Sequence, residues 1–163
     1  MPLINVMFYE PIEKDAKILN RVINGVINNY DPPYSHCDVQ FEDGMASSVF
    51  QFEKMYWKNR RFRKPGYRKL TVSVDNCAYW KAYNMCKERV QHGYGFDAIG
   101  MYSLPLRPLF NINREKKSFC SKHCTEVLQK AGVRVLVCFF AGYRATVYKT
   151  LSSIIANNLL GEL

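Results

Sequence analysis

The chain has 163 residues, of which 48% are hydrophobic and 14% aromatic. This composition excludes a globally disordered protein, and the length fits one domain, 1–163, with a single core. No apolar run reaches the roughly 18 to 20 residues of a membrane-spanning helix. The N-terminus shows no basic region before an apolar stretch, as a secretory signal would. We therefore expect one cytoplasmic domain without a transmembrane segment.

The charge is strongly positive. Twenty-three Lys and Arg against 14 Asp and Glu give a formal net charge of +9. Such a balance favours acidic partners in general, and it does not choose between nucleic acid, an anionic membrane and a negatively charged substrate.

The six cysteines include no pair with CxxC spacing, which argues against a zinc ribbon or a thioredoxin-like site. Without an export signal, we expect free thiols in a reducing compartment, available for structure, metal binding or catalysis. No cofactor is implied by any motif of the chain.

The N-terminal half predicts a strand, a helix and a hairpin. The helix is indicated by apolar residues that recur at three- and four-residue spacing, and it ends at Asp31-Pro32-Pro33. The hairpin turns at Glu42-Asp43-Gly44. The predicted bounds are Leu3 to Tyr9, Ile12 to Tyr30, Tyr34 to Phe41 and Met45 to Phe52.

The C-terminal half predicts two capped helices between strands. Asp75 is the expected N-cap of a helix through about Gln91, and Ser118 that of a helix to Ala131, closed by Gly132. The remaining predicted elements are strands at Lys69 to Val74, Val133 to Phe140 and Arg144 to Val147, a loop from Gly93 to Asn113, and a helix from Tyr148 to Leu160. The order predicts an α+β fold with a small, mostly antiparallel sheet packed against helices.

Cys120 is the residue best placed for nucleophilic chemistry, because the predicted cap at Ser118 puts it in the first turn of a helix. There the unpaired amides and the positive end of the helix dipole stabilise a thiolate, so we expect a lowered pKa of Cys120. The same amides can donate to a developing oxyanion. The structural alternative is a small apolar residue buried at a helix start.

A cysteine nucleophile needs a base from elsewhere in the fold, and the chain has three histidines. His123 lies one turn along the same helix, a poor position from which to approach Cys120, and His92 lies at a helix end. His36 lies on a predicted strand that leads into a tight hairpin. We therefore predict His36 as the general base, with a hydrogen-bonded surface histidine as the alternative.

These residues resemble a known family. Ser35-His36 on a strand before the hairpin, and far downstream Phe119-Cys120-Ser121 at a helix start, are similar to motifs of the circularly permuted NlpC/P60 branch of papain-like thiol enzymes. That branch includes lecithin:retinol acyltransferase-like proteins, bacterial cysteine hydrolases and poxvirus homologues. Gly95-Phe96-Asp97 is similar to a segment that these proteins carry before the nucleophile. The resemblance covers about Tyr34 to Leu160.

The resemblance implies a permuted papain-like fold with Cys120 as nucleophile and His36 as general base. It implies a cysteine peptidase or amidase, or an acyltransferase, whose substrate is a peptide, an amide or a lipid acyl group. The family also has a third polar residue that orients the imidazole. Ser48 occupies that position here, where His, Glu, Asn or Gln is usual, and Asp38 on the strand of His36 is the alternative.

Two other assignments use the same helix. Cys124 is a competing nucleophile, although one turn deeper it is expected to face the core. Cys120, His123 and Cys124, with His36 or Cys37 from the strand, are residue types that bind zinc. The helix lacks a second ligand pair, so no metal is the expectation.

The segment Lys54–Lys69 is strongly basic, and Tyr56, Trp57, Phe62 and Tyr67 lie between its charges. The basic residues are Lys54, Lys58, Arg60, Arg61, Arg63, Lys64, Arg68 and Lys69. This composition suits phosphate contacts with base stacking, or the headgroups of an anionic membrane. It supports an alternative function, a non-enzymatic module that binds nucleic acid or anionic lipid. A solvated segment with its aromatic rings packed into the domain is the structural reading.

Overall fold

The computed structural model describes residues 1–9, 36–98 and 116–134. The predicted helix at Ile12 to Tyr30, the strand at Arg144 to Val147 and the C-terminal helix lie outside these residues. So does the predicted strand Val133 to Phe140, apart from its first two residues. Within the described part of the chain, no helix is long and apolar enough to span a bilayer.

Seven strands and two helices lie in the described residues. They are β1 (Leu3–Tyr9), β2 (His36–Phe41), β3 (Met45–Val49), β4 (Met55–Asn59), β5 (Tyr67–Ser73), α1 (Asn76–Gln91), β6 (Gly95–Phe96), β7 (Lys117–Ser118) and α2 (Cys120–Lys130). Five strands form an antiparallel sheet in the order β4-β3-β2-β1-β5. The predicted α+β class with an antiparallel sheet is therefore confirmed.

The two helices begin differently. Asp75 caps α1 as predicted, and its carboxylate accepts hydrogen bonds from the amides of Cys77 (2.7 Å) and Ala78 (3.1 Å). The predicted cap of α2 is wrong, because Phe119 is the N-cap and makes no side-chain capping bond. Ser118 instead belongs to β7, which pairs in parallel with β6. Strand pairing holds the chain extended until the residue before Cys120.

Sequence reasoning did not find β4, which lies inside the basic segment. It pairs with β3 and forms one edge of the sheet that the described residues build, while β5 forms the other. Charged side chains are compatible with an edge strand, since they discourage pairing with other chains. β4 itself carries a single charge, Lys58, so it was overlooked because of the basic residues around it.

The sheet has two faces that differ in what covers them. On the helix face, Phe8 of β1 and Val39 and Phe41 of β2 belong to one core cluster with Val127 and Leu128 of α2 and with residues of α1. Strand alternation places His36, Asp38 and Gln40 on the opposite face. We call this second face the crossover face, because residues 60–66 cross it between β4 and β5.

The path of this crossover follows from the topology. β4 ends at one corner of the sheet and β5 begins at the diagonally opposite corner. Four strand spacings and the length of β2 give a diagonal of about 25 Å. The chain from Asn59 to Tyr67 reaches at most about 26 to 29 Å, so little slack is available, and the crossover contains a turn only at its end, at Pro65 and Gly66. Gln40 Nε2 donates to the carbonyl of Arg60 at 2.8 Å and fixes its start on the crossover face.

Candidate active site

His36 and Cys120 meet where two elements begin, since His36 is the first residue of β2 and Cys120 the first of α2. Both are buried, with exposed fractions of 9% and 3%. Their side chains share a hydrogen bond that influences the pKa of each. The structure thus brings together the two residues that the sequence analysis selected from distant positions in the chain.

The ring of His36 lies between a carboxylate and an aromatic ring. Its Nε2 is 3.4 Å from Oδ1 of Asp38, and the ring of Phe50 stacks on it with centroids 4.3 Å apart. Burial opposes the charged ring, but the charge and hydrogen bond of Asp38, with the contribution of Cys120, outweigh burial and raise the pKa of His36 to about 10. His36 is therefore an imidazolium at neutral pH.

Asp38 is fully buried, and its Oδ1 is shared by three donors. Besides His36, the hydroxyl of Tyr56 donates to it, and Arg60 Nη1 donates at 3.0 Å. Arg60 also donates to the hydroxyls of Tyr56 (2.7 Å) and Tyr67 (2.8 Å). A buried carboxylate requires such partners, because an unpaired charge in the interior is very costly.

The sequence analysis did not predict the position of Arg60. It placed Arg60 on the surface with seven other cations. Its guanidinium lies over the rings of Phe62 (4.8 Å), Phe50 (5.3 Å) and Tyr56 (5.7 Å), besides contacting Asp38. The available signal was indirect. Asp38 lies between apolar residues on a central strand, where its charge requires a polar or charged partner. The sequence pattern does not indicate which of the eight cations of the basic segment provides it.

Cys120 departs from the expected electrostatics. A hydrogen bond with the Cys37 thiol and burial raise the pKa of Cys120 well above its usual range, while His36 lowers it by less. The prediction of a lowered pKa is therefore wrong for this arrangement. The helix dipole acts as expected only when the thiolate remains partly solvated, and here the sulfur is enclosed among other thiols.

The two candidates for the third residue have different partners. Ser48 is buried, and its hydroxyl donates to the backbone carbonyl of Cys37 at 2.6 Å. Asp38, in contrast, contacts the imidazole of His36 directly. Ser48 holds the strand next to the site, and Asp38 is the group that can orient the ring.

His123 forms a second buried polar cluster on the helix face. Its Nε2 is 2.9 Å from Oγ of Ser47, and Arg89 Nη1 is 3.2 Å from its Nδ1. Arg89 in turn pairs with Glu126 at 2.7 Å. Burial and the positive charge of Arg89 lower the pKa of His123 to about 3, so this ring is neutral.

The tautomer of His123 follows from its neighbours. Arginine only donates, so Nδ1 must accept and the ring proton is on Nε2, which donates to Ser47. Ser47 is therefore an acceptor in this pair and gains no basic partner for its own proton. The Ser47–His123 contact therefore stabilises the core, and Ser47 is not activated as a nucleophile.

The alternative assignments on α2 gain little from the geometry. Cys124 is buried in the core cluster, and burial raises its pKa. His123 is directed at Ser47 and Arg89, away from a shared ligand position with Cys120 and Cys124. Among the described residues, no group of three or more His, Cys, Asp or Glu is arranged to hold a metal ion.

The segment Gly95-Phe96-Asp97 lies beside the start of α2. Gly95 and Phe96 pair with Lys117 and Ser118, and the amide of Asp97 donates to the carbonyl of Ser118 at 2.8 Å. This short parallel pairing fixes the approach of the chain to Cys120. The segment therefore positions the N-terminus of α2, with the buried Asp97 at its end.

The basic segment divides into two parts in the structure. Its aromatic rings are partly buried, and Trp57, for example, packs on Phe41 (5.6 Å) and Tyr83 (4.8 Å). Arg60 lies inward. The other seven cations are exposed, at Lys54, Lys58, Arg61, Arg63, Lys64, Arg68 and Lys69.

Comparisons of the chain with protein-family models, with curated proteins and with solved structures find no match. The family resemblance therefore remains a prediction from the motifs.

Proposed function

We propose that this protein is a thiol-dependent hydrolase or acyltransferase with a permuted papain-like fold, in which Cys120 is the nucleophile and His36 the general base. The substrate class is an amide, ester or thioester carbonyl, with peptidase or amidase activity as the first candidate. The observation that carries this proposal is the contact between Cys120, at the start of α2, and a histidine that is itself held by a buried carboxylate.

In this proposal Asp38 takes the orienting role, in place of Ser48. Its Oδ1 faces Nε2 of His36, which leaves Nδ1 as the ring nitrogen that gives a proton to the leaving group and takes one from the attacking water. Tyr56 and Arg60 hold the carboxylate from the crossover side. This gives the order nucleophile, base, orienting group that activated nucleophiles share.

The resting protonation state determines how the reaction begins. His36 carries its proton and Cys120 is a neutral thiol at neutral pH. One proton must therefore leave to solvent to give a thiolate beside the imidazolium. The thiolate then attacks the carbonyl carbon, and His36 protonates the leaving group as the carbon–heteroatom bond breaks. Water, or another acyl acceptor, then attacks the thioester. Neutral His36 accepts the proton of this attacking group, and Cys120 is released as a thiolate.

The start of α2 supplies the remaining element of the mechanism. Phe119, the N-cap, makes no side-chain capping bond to the first turn. The first helical bond is that of the His123 amide to the Phe119 carbonyl at 2.9 Å. The amide of Ser121 can thus donate to an oxyanion that forms next to Cys120.

Turnover of model substrates tests the proposal, with p-nitrophenyl esters, peptide anilides and acyl thioesters as the panel. We expect Cys120→Ala to reduce kcat/KM by at least about a thousandfold. Cys124→Ala is the matched control, because it removes a buried thiol one turn away on the same helix, and it should retain activity. Unchanged turnover in Cys120→Ala, or an equal loss in both variants, contradicts the proposal.

The raised pKa of Cys120 also predicts how its reactivity depends on pH. Iodoacetamide should modify the exposed Cys77 first, and modification of Cys120 should accelerate as pH rises from about 7 to 9, because the thiolate fraction increases. Peptide mass spectrometry gives the rate for each cysteine. The five described cysteines are free thiols, consistent with the reducing cytoplasm that we propose as the location.

A further inference from the structure

We infer that the crossover, residues 60–66, carries a binding surface for the phosphate backbone of double-stranded nucleic acid, centred on Arg61, Arg63 and Lys64. This inference does not depend on the proposed thiol chemistry. It concerns the outer side of the same segment whose inner side holds Asp38.

Residues 60 to 63 of the crossover alternate between partly buried and exposed, as in an extended strand, and a bend at Lys64 leads into the turn at Pro65 and Gly66. Arg60 and Phe62 are partly buried, and Cζ of Arg60 lies 4.8 Å from the ring centroid of Phe62. Arg61 and Arg63, between and after them, are exposed, as is Lys64. The outward cations are therefore displayed by a segment that is fixed from below.

The anchoring under this surface is extensive. Arg60 bonds to Asp38, Tyr56 and Tyr67, and its amide donates to the carbonyl of Gly44 at 3.1 Å. The ring of Phe62 packs against that of Tyr67 with centroids 4.9 Å apart. A fixed display lowers the entropic cost of binding, because the backbone is already ordered before the partner arrives.

Three of the four other exposed cations of the basic segment lie on strands at the edges of the described sheet, which explains their charge. Lys58 lies on the edge strand β4, and Arg68 and Lys69 lie on the edge strand β5, where charges oppose pairing with other chains. Lys58 is also placed over the ring of Tyr56 at 4.8 Å. Arg61, Arg63 and Lys64 belong to no strand, so edge protection does not account for them.

The chemistry of this surface selects the partner. Guanidinium groups bind phosphate oxygens through two parallel hydrogen bonds. Contacts of cations with phosphates supply most of the affinity for a duplex backbone when sequence is not recognised. Single-stranded nucleic acid would require exposed rings for base stacking, whereas the rings of this segment are partly buried.

An anionic membrane fits less well, because peripheral membrane binding combines cations with exposed apolar side chains. Among the described residues, the exposed large hydrophobic side chains are outside the crossover, at Met1, Leu3, Phe52 and Trp80. We therefore assign the surface to a duplex backbone, with contacts that do not read sequence.

The test is fluorescence anisotropy with a labelled, mixed-sequence DNA duplex at several salt concentrations. The variant R61Q/R63Q/K64Q should bind about tenfold more weakly, and its salt slope should be shallower by roughly one unit for each cation removed. The matched control K81Q/K87Q/K130Q removes the same charge from exposed positions on α1 and α2, and should bind almost as the unmodified protein does.

Four results decide the inference. Weaker binding in the crossover variant alone supports it. An equal loss in the control variant overturns it, because net charge then explains the affinity, and so does unchanged binding in the crossover variant. Binding to vesicles of equal parts phosphatidylserine and phosphatidylcholine, without binding to the duplex, assigns the surface to membranes and also overturns it. Cys120→Ala should bind the duplex normally, so failure of the proposed catalysis leaves this test unaffected.

Discussion

Two buried histidines, His36 and His123, have opposite protonation states although both rings are enclosed in the same domain. His36 lies beside the carboxylate of Asp38, and its pKa is raised to about 10. His123 lies beside the guanidinium of Arg89, and its pKa is lowered to about 3. Burial opposes the charged form in both cases, so the sign of the neighbouring charge decides the outcome.

The comparison separates a site that can move protons from one that only fills the core. The cluster of His36 holds an ionised pair next to a thiol, whereas that of His123 fixes a neutral ring by an acceptor on one side and a donor on the other. A buried histidine near a serine or cysteine is therefore not enough to indicate chemistry. The charge of the residue that contacts the imidazole indicates whether the ring can take part in proton transfer.

The largest effect is expected from Asp38→Asn, which removes the charge that keeps His36 protonated. The pKa of His36 should fall towards 6.5, because burial, the largest cause, is then opposed only by the smaller contribution of Cys120. The unfolding free energy should fall by about 3 to 5 kcal/mol, since Arg60 loses its buried partner. An NMR titration of the imidazole protons and urea denaturation measure the two changes. His123 in the same spectrum is the internal control, and a His36 that still titrates near 10 contradicts the assignment.

The pH dependence of stability should reflect both rings, each by up to a few kcal/mol. The contribution of His36 is complete below about 6.5 and is lost as pH rises through about 10. The contribution of His123 is complete above about 6.5 and is lost as pH falls through about 3. Subtracting the denaturation profiles of His36→Gln and His123→Gln from that of the unmodified protein isolates each limb. Limbs on the same side of 6.5 would refute the comparison.

Arg89→Met should partly reverse the state of His123. Its pKa should rise above about 3 but remain below 6.5, because burial is the larger cause and persists. Glu126 loses its 2.7 Å partner while partly exposed, so a destabilisation of about 1 kcal/mol is expected. The same NMR titration reports the pKa. An unchanged value would show that Arg89 does not set it, and His36 should not respond.

The smallest effect on the protonation of His123 is expected from Ser47→Ala, which removes the acceptor of its Nε2 proton. The loss of one buried hydrogen bond should cost about 1 to 2 kcal/mol. The ring should keep its proton on Nε2, because Arg89 still donates to Nδ1. Nitrogen NMR shifts distinguish the tautomers, and a proton on Nδ1 in the unmodified protein would contradict the arrangement. Ser48→Ala provides a buried serine control on the same strand.

The sequence by itself determined the local elements. The cap at Asp75, the turn at Glu42-Asp43-Gly44 and the α+β class with an antiparallel sheet follow from patterns within a few residues of each other, and the structure contains them. Cys120 at a helix start and His36 on a strand are local features of the same kind. The family resemblance and the catalytic assignment rest on these motifs and remain predictions.

Only the tertiary structure decided which charged groups lie next to these residues and therefore set their protonation states. The crossover has to span the sheet from corner to corner, and this path places Arg60 over Asp38, which is 22 positions away in the chain. That contact stabilises the carboxylate, and the carboxylate keeps His36 protonated. Burial beside Cys37 likewise raises the pKa of Cys120 against the local effect of the helix start. Protonation depends on charges within a few ångströms in space, and sequence patterns record only neighbours along the chain.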